Sequence, residues 1–255
     1  MSIKTGILNG VAVIEIARPE KKNAITGAMY LALAEALLLA NADPTVRSVL
    51  IAGQPGIFTS GNDLEVFMQR PAGSGEETPS HAFMKALMGC EKPVIAAVTG
   101  AAIGIGTTLL LHCDFVYVSD EARLAMPFVS LGLVPEFGSS LLVPQLMGNP
   151  RAAEKLLLGE PFTGAQAVEC GIANAVLPPG EVMAHARRIA ERFNNLPPAA
   201  VRETKKLMRR ARNASVPAAI DAETEVFRAC LTSPEAKEAF SAFFQKRKPD
   251  FAQFF

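Results

Sequence analysis

One carboxylate stands alone in an apolar stretch. Glu136 lies in Gly132-Leu133-Val134-Pro135-Glu136-Phe137-Gly138-Ser139-Ser140, with Leu131, Leu133, Val134 and Phe137 as neighbours. Apolar surroundings disfavour the charged form, so such a carboxyl is a weaker acid and a better base near neutrality. Upstream, the glycine-rich run Thr99-Gly100-Ala101-Ala102-Ile103-Gly104-Ile105-Gly106 leads from a buried-type strand, Pro93 to Val98, into an apolar helix expected from about Gly106. A helix start presents free backbone N–H groups to developing negative charge. A base and backbone donors together suit removal of a proton next to a carbonyl group. A plainer role for Glu136 also exists, because it precedes an expected helical run, Phe137 to Met147, where negative charge is favoured.

Other polar groups offer less. His112-Cys113-Asp114 has the types of a nucleophilic trio, but adjacent residues on a helix or strand do not face each other, so a core or helix-end role is expected. His81 and His185 stand apart without metal-ligand spacing, and no metal site is expected. Cys90, Cys113, Cys170 and Cys230 contain no CxxC pair and read as reduced thiols. Gly104-Ile105-Gly106 does not complete a dinucleotide fingerprint, and there is no P-loop. The Arg/Lys-rich helix from Arg202 to Arg212 reads as a solvated face.

The elements that must position these groups follow from patterning. Asn9-Gly10 between Ile3–Leu8 and Val11–Ile16 marks a hairpin. A long helix is expected from about Ala28 to Ala42 and a buried strand over Val46 to Ala52. Phe58 to Asp63 is a tight glycine turn entering a short helix that Asp63 caps. Pro71 to Pro79 reads as a mobile exposed loop, another helix leads to Cys90, and a second strand runs from Phe115 to Ser119. Thr163 and Gln166 form a capping box, and Gly171 stops that helix. After Glu181 the strand signal disappears, and helices are expected to be separated by Pro197-Pro198, Pro217 and Ser233-Pro234. The division is an α/β core over residues 1–195 and a helical region over 196–255. In that tail Leu207, Val216, Ile220, Val226, Phe227, Phe240, Phe243 and Phe244 must pack on the core or on another subunit.

Bulk properties exclude several classes. Lys+Arg and Asp+Glu both number 25, so no overall basic field favours nucleic acid. The apolar runs are too short or interrupted to span a bilayer, residues 1–25 lack a secretion pattern, and the Phe254-Phe255 ending is no peroxisomal address. A soluble cytoplasmic protein is expected, with no membrane or nucleic-acid partner.

The ordered elements Asn23-Ala24, Ser60-Gly61-Asn62-Asp63, Lys92 to Gly100, Gly104-Ile105-Gly106, Cys113-Asp114 and Gly132 to Pro135, with Phe243 to Pro249 in the tail, resemble the crotonase (enoyl-CoA hydratase/isomerase) superfamily over essentially the whole chain. The resemblance implies a spiral of ββα units with a C-terminal helical trimerisation region. It also implies an acyl-CoA substrate, with coenzyme A as part of the substrate and no separate cofactor. It places two oxyanion-binding backbone N–H groups on Asn62 and Ile105, and substrate contacts at Ala24, Ser60, Gly61, Asn62, Asp63, Leu64, Gly104, Phe128 and Lys246. The two water-handling glutamates of the hydratases fall at Thr108 and Phe128, neither of which can act as a carboxylate base. Pro135-Glu136-Phe137-Gly138-Ser139-Ser140 instead resembles the P-E-x-x-S-S pattern of the Δ3,Δ2-enoyl-CoA isomerase branch, which gives Glu136 the role of base. The implied function is double-bond isomerisation in fatty-acid oxidation by a homotrimer or dimer of trimers. The alternatives are another crotonase-type reaction, such as hydration or thioester hydrolysis, or a non-catalytic acyl-CoA-binding role.

Overall fold

A computed structural model describes residues 2–67 and 78–254, with only the backbone of Val66 and Phe67. The expected loop at 71–77 lies outside the described residues. The chain opens with the hairpin β1 (Ile3–Leu8) and β2 (Val11–Ile16), paired from Ile3 opposite Ile16 to Leu8 opposite Val11. Asn9 and Gly10 take the positive φ that such a tight turn requires. Helix α1 (Gly27–Ala42) follows, capped by the Thr26 hydroxyl on the Met29 N–H. Its residues Met29, Tyr30, Leu33, Ala34, Leu37 and Ala40 recur at helical spacing and are buried.

A repeating unit then winds through the fold. Strands β3 (Ser48–Ala52) and β4 (Ile57–Thr59) lead to α2 (Leu64–Phe67) and α3 (Pro79–Gly89). Strands β5 (Val94–Val98) and β6 (Ala101–Ile103) lead to α4 (Ile105–Thr108), continued by a 3-10 turn over Leu109–His112. Strands β7 (Phe115–Ser119) and β8 (Arg123–Ala125) lead to α5 (Ser139–Met147) and α6 (Asn149–Leu156). The last turn holds β9 (Phe162–Thr163), α7 (Gly164–Glu169), β10 (Ala175–Leu177) and α8 (Pro179–Glu191). Each unit places one strand in a larger sheet, ordered β1-β2-β3-β5-β7-β10, and one in a smaller sheet, ordered β4-β6-β8-β9. This is the expected α/β spiral. β3 and β5 are buried throughout, as continuous apolar runs in a covered parallel sheet should be.

The tail differs from its reading. Pro217 does not separate two helices: α9 (Pro198–Leu231) runs through it for 34 residues before α10 (Pro234–Gln245). A proline inside a helix costs roughly 3 kcal/mol. Val216 and Ile220 bury against the turn at Gly138, and Glu223 bonds to the same turn, so tertiary contacts fix the helix on both sides of Pro217. The apolar tail residues also divide. Val216, Ile220 and Phe240 join the core cluster and Phe227 packs against it, whereas Leu207, Val226, Phe243 and Phe244 are exposed. None of the described helices is long and apolar enough to cross a membrane.

Candidate active site

The end of β4 carries the first proposed donor. Asn23, fully buried, donates to the Ile57 and Phe58 carbonyls and accepts from the Arg18 N–H at 2.7 Å, and Thr59 Oγ1 donates to the Asn23 carbonyl. This ties Ala24 and Ser60 to one rigid turn; the Ser60 N–H bonds Lys22 O at 3.1 Å. Gly61 has φ 91°, and a Cβ there would lie 2.8 Å from the Ile103 carbonyl, so only glycine lets the turn approach the end of β6. Asn62 bridges to Ile25 in parallel fashion: the Ile25 N–H bonds Gly61 O at 2.8 Å, and the Asp63 N–H bonds Ile25 O at 3.0 Å. In that pattern the Asn62 N–H points away from Ile25. Tyr30 Oη donates to Asn62 Oδ1 at 2.6 Å. Asp63 is buried and its carboxylate is held by Arg18 at 2.6 Å. Leu64 begins α2.

The second proposed donor starts α4. Gly104 donates to the Ala125 carbonyl at 2.9 Å, and Ile105 is the first helical residue, so its N–H has no acceptor within the helix. Its side chain is wholly buried in the core. A Cβ on Gly106 would meet Thr59 Cγ2 at 2.6 Å, so α4 sits directly on β4. The Phe128 ring lies beside Gly104, about where a Cβ on Gly104 would be 4.0 Å away. Thr108 is fully buried and its Oγ1 has no hydrogen-bond partner among the described residues.

Glu136 leads into a strained turn. Phe137 and Gly138 both have positive φ, 62° and 72°, which is rare for a bulky residue. Two clamps hold this conformation. His112 stacks on Phe137 with ring centroids 3.8 Å apart, and its Nε2 lies 2.8 Å from the Phe137 carbonyl. Arg212 lies 3.3 Å from His112 Nδ1. Arginine only donates, so Nδ1 accepts and Nε2 carries the proton given to Phe137. Burial pushes the His112 pKa down to about 3, so the ring is neutral. On the other side, Glu223 of α9 accepts from the Gly138 N–H at 2.7 Å, the Ser140 N–H at 2.8 Å and Ser140 Oγ at 2.5 Å. Ser139 Oγ donates to the Glu136 carbonyl at 2.7 Å.

The carboxylate that caps α5 is therefore Glu223, and the plainer role open to Glu136 is already filled. Glu136 Oε1 is shut from solvent without a hydrogen-bond partner among the described residues. Burial, and secondarily the negative charge of Glu223, push its pKa up to about 8. Phe137 is also part of an aromatic chain. Its ring meets Phe83 edge-on at 6.3 Å, and Phe83 meets Tyr30 at 5.7 Å. Apolar contacts thus run from the Glu136–Phe137 loop to the side chain that holds Asn62.

The basic face of α9 is not simply solvated. Lys205 and Arg209 pair with Asp114 at 2.6 and 2.7 Å, and Arg209 and Arg212 donate to the His112 and Leu111 carbonyls. Cations at the C-terminal end of the 3-10 turn satisfy its free carbonyls. Lys206 does stay outside, beside Glu91 and Glu203. His112 has the expected core, helix-end role, and burial drives the Cys113 thiol up to about 12, away from nucleophilic use. Lys246 is exposed at the C-cap of α10. Sequence reasoning missed Tyr30, Arg18, Glu223 and the clamp formed by His112. Among the described residues no group of three or more His, Cys, Asp or Glu side chains could hold a metal ion.

A family model described as enoyl-CoA hydratase/isomerase matches residues 6–254. The chain belongs to the enoyl-CoA hydratase/isomerase family. It is similar to the solved structure of Pseudomonas aeruginosa OdaA, at 50% identity and TM-score 0.92, over 95% of this chain and 98% of that one. An enoyl-CoA hydratase/isomerase from Pseudoalteromonas atlantica T6c superposes at TM-score 0.93 with 38% identity, over 98% and 100% of the two chains. Enoyl-CoA delta isomerase 2 of Rattus norvegicus is 36% identical over 94% of this chain, which spans 62% of that protein. The 2,3-dehydroadipyl-CoA hydratase of Escherichia coli is 29% identical over 94% of both. Hydratases and isomerases stand at comparable distance, so family membership by itself does not select the reaction.

Proposed function

We propose that this family member is a Δ3,Δ2-enoyl-CoA isomerase with Glu136 as its single base. The observation that carries the reading is the division of labour between two carboxylates. Glu223 is committed to three donors at the start of α5, while Glu136 Oε1 has none among the described residues. A 1,3-proton shift needs one base that reaches two carbons, so a carboxylate must be unencumbered. Glu136 removes a proton from C2 of an acyl-CoA thioester, and the electrons pass into a dienolate whose oxygen the Asn62 and Ile105 N–H groups receive. Glu136 then returns a proton to C4. Preorganised donors are worth on the order of 10²–10³-fold each, and general base catalysis roughly 10²–10⁴-fold. Buried Phe128, Leu133 and Phe137 keep water from the intermediate.

Hydration is disfavoured by Thr108 and Phe128, which stand where the hydratase resemblance places its glutamates. The assembly we infer is a homotrimer or dimer of trimers, with Lys246 as a candidate contact to coenzyme A phosphate. In support, Phe243 and Phe244 meet edge-on at 5.6 Å and yet are 56% and 44% exposed. The deciding experiment follows a 3-enoyl-CoA and a 2-enoyl-CoA separately with wild type and Glu136→Gln. Isomerisation that the substitution abolishes, with acyl-CoA binding within a few-fold, is expected. Retention of more than about a tenth of turnover contradicts the role, given the general-base range.

A further inference from the structure

We propose that Glu223 is a positioning residue for the base, an anionic clamp from α9 that fixes the Phe137–Gly138 turn and so aims Glu136. This inference rests on Glu136 being the base. The turn is costly, since a bulky residue with positive φ loses about 1–3 kcal/mol and persists only where surroundings over-determine it. Glu223 lies 85 residues from Gly138 in sequence, is buried, and places both its oxygens on the donors that follow Glu136. Three donors converging on two oxygens suit the carboxylate anion, as does the N-terminal end of the nine-residue α5. A glutamine cannot replace it, because its amide nitrogen would face an N–H. Burial of a second anion so close to the base disfavours a purely stabilising purpose, since an apolar contact would cost less.

The same placement sets the electrostatics of the base. Glu223 is the acidic group of α9 whose negative charge acts on Glu136. Burial raises its own pKa, and the bonds from Ser140 and Gly138 work against that and favour its anion. Helix α5 carries no titratable side chain, and His112, beyond the Phe137 ring, is neutral. Arg209 and Arg212 are turned toward the 3-10 turn and Asp114. The charge of Glu223 thus raises the proton affinity of Glu136 on top of burial, which strengthens it as a base and suits it to returning the proton.

The test compares Glu223→Gln and Glu223→Asp with wild type in steady-state isomerisation across pH, after circular dichroism shows native helix content. For Glu223→Gln, kcat should fall at least about tenfold, a loss within the range for misplacing a catalytic group. KM should stay within a few-fold, and the apparent pKa in kcat/KM should move down. Glu223→Asp keeps the charge and should restore the wild-type apparent pKa with part of the kcat. A merely structural cap would lower thermal stability and leave the pH profile and kcat where they were, and that result overturns the proposal. If Glu223→Gln does not fold, Ser140→Ala removes one bond and leaves the carboxylate. A several-fold drop in kcat at unchanged KM then supports the clamp, and wild-type kcat overturns it. Glu136→Gln run in parallel separates the two readings: if it stays active, the base assignment fails, whatever Glu223 does.

Discussion

His112 binds the carbonyl of the residue on which it is stacked: its ring lies 3.8 Å from the Phe137 ring and its Nε2 2.8 Å from Phe137 O. The opposite nitrogen demands a neutral imidazole, because Nδ1 must accept from Arg212. Burial holds the folded-state pKa at about 3, below the ordinary value of 6.5. The unfolded chain therefore binds a proton below pH 6.5 that the folded chain refuses. Stability from this group is fully present above pH 6.5 and declines as pH falls toward 3. We expect denaturant unfolding of wild type to weaken over that window, and His112→Gln to weaken less steeply. Parallel curves for the two proteins would show that His112 is not buried neutral.

Glu136 has the opposite sign. Its folded pKa is raised to about 8 from 4.5, so the folded protein keeps a proton that the unfolded chain releases. Stability falls as pH rises from 4.5 and levels off above 8. Relative to wild type, Glu136→Gln should gain stability between pH 5 and pH 9, by at least about 1 kcal/mol, since a tenfold change in proton affinity corresponds to about 1.4 kcal/mol. Activity runs the other way. In the proposed mechanism the unprotonated form is the base, so kcat/KM for a 3-enoyl-CoA should climb with pH and flatten near 8. A plateau already reached at pH 6 would mean the carboxyl is not buried as described.

The parts of the fold that are legible in sequence are the local ones. Asn9-Gly10, the Thr163–Gln166 capping box and the Phe115–Ser119 strand are recovered because their signals lie within a few residues. Strands β6 and β8 are not, since three residues at Ala101–Ile103 and Arg123–Ala125 are too few to show a period, and β6 is further hidden between Gly100 and Gly104. Glu223 was invisible for another reason. It sits in Asp221-Ala222-Glu223-Thr224-Glu225, which reads as a polar helix face, and its partners lie in a distant segment. Lys205, Arg209 and Arg212 misled in the same way. Charge on a helix says nothing of what faces it until the packing is known. The burial of Val216 and Ile220 likewise outweighs the helix-breaking tendency of Pro217.

Tyr30 offers a test of how the first donor is aimed. Its hydroxyl donates to Asn62 Oδ1 at 2.6 Å, and its ring touches Phe83, which leads on to Phe137. Tyr30→Phe preserves the ring and removes one hydrogen bond, worth about 0.5–1.5 kcal/mol. Turnover should drop several-fold with a small loss of stability, measured by isomerase assay and thermal melts. Unchanged kcat would show that the Asn62 backbone is fixed by Gly61 and Ile25 alone.

The exposed aromatic pair predicts assembly. Phe243→Ser with Phe244→Ser removes the apolar end of α10 while leaving the buried Phe240 in place. Sedimentation of wild type should show a trimer or hexamer, and the double variant should dissociate to smaller species with native helix content. A wild-type monomer would remove the interface from the proposal.

The proposed oxyanion hole is tested at Ile105, the first residue of α4. Proline has no N–H, and its fixed φ is well suited to the first position of a helix, so Ile105→Pro deletes the proposed donor with limited harm to the backbone. Turnover should fall on the order of 10²-fold or more, with a smaller loss of ground-state binding. The side chain needs a separate control, because it is fully buried in the core. Alanine there would open a cavity costing about 2–5 kcal/mol, whereas valine costs about 0.5–1.5 kcal/mol and keeps the N–H. Ile105→Val should therefore retain most activity. If the valine variant loses as much as the proline variant, core packing rather than the backbone donor governs the step, and the charge on the thioester oxygen must be received elsewhere.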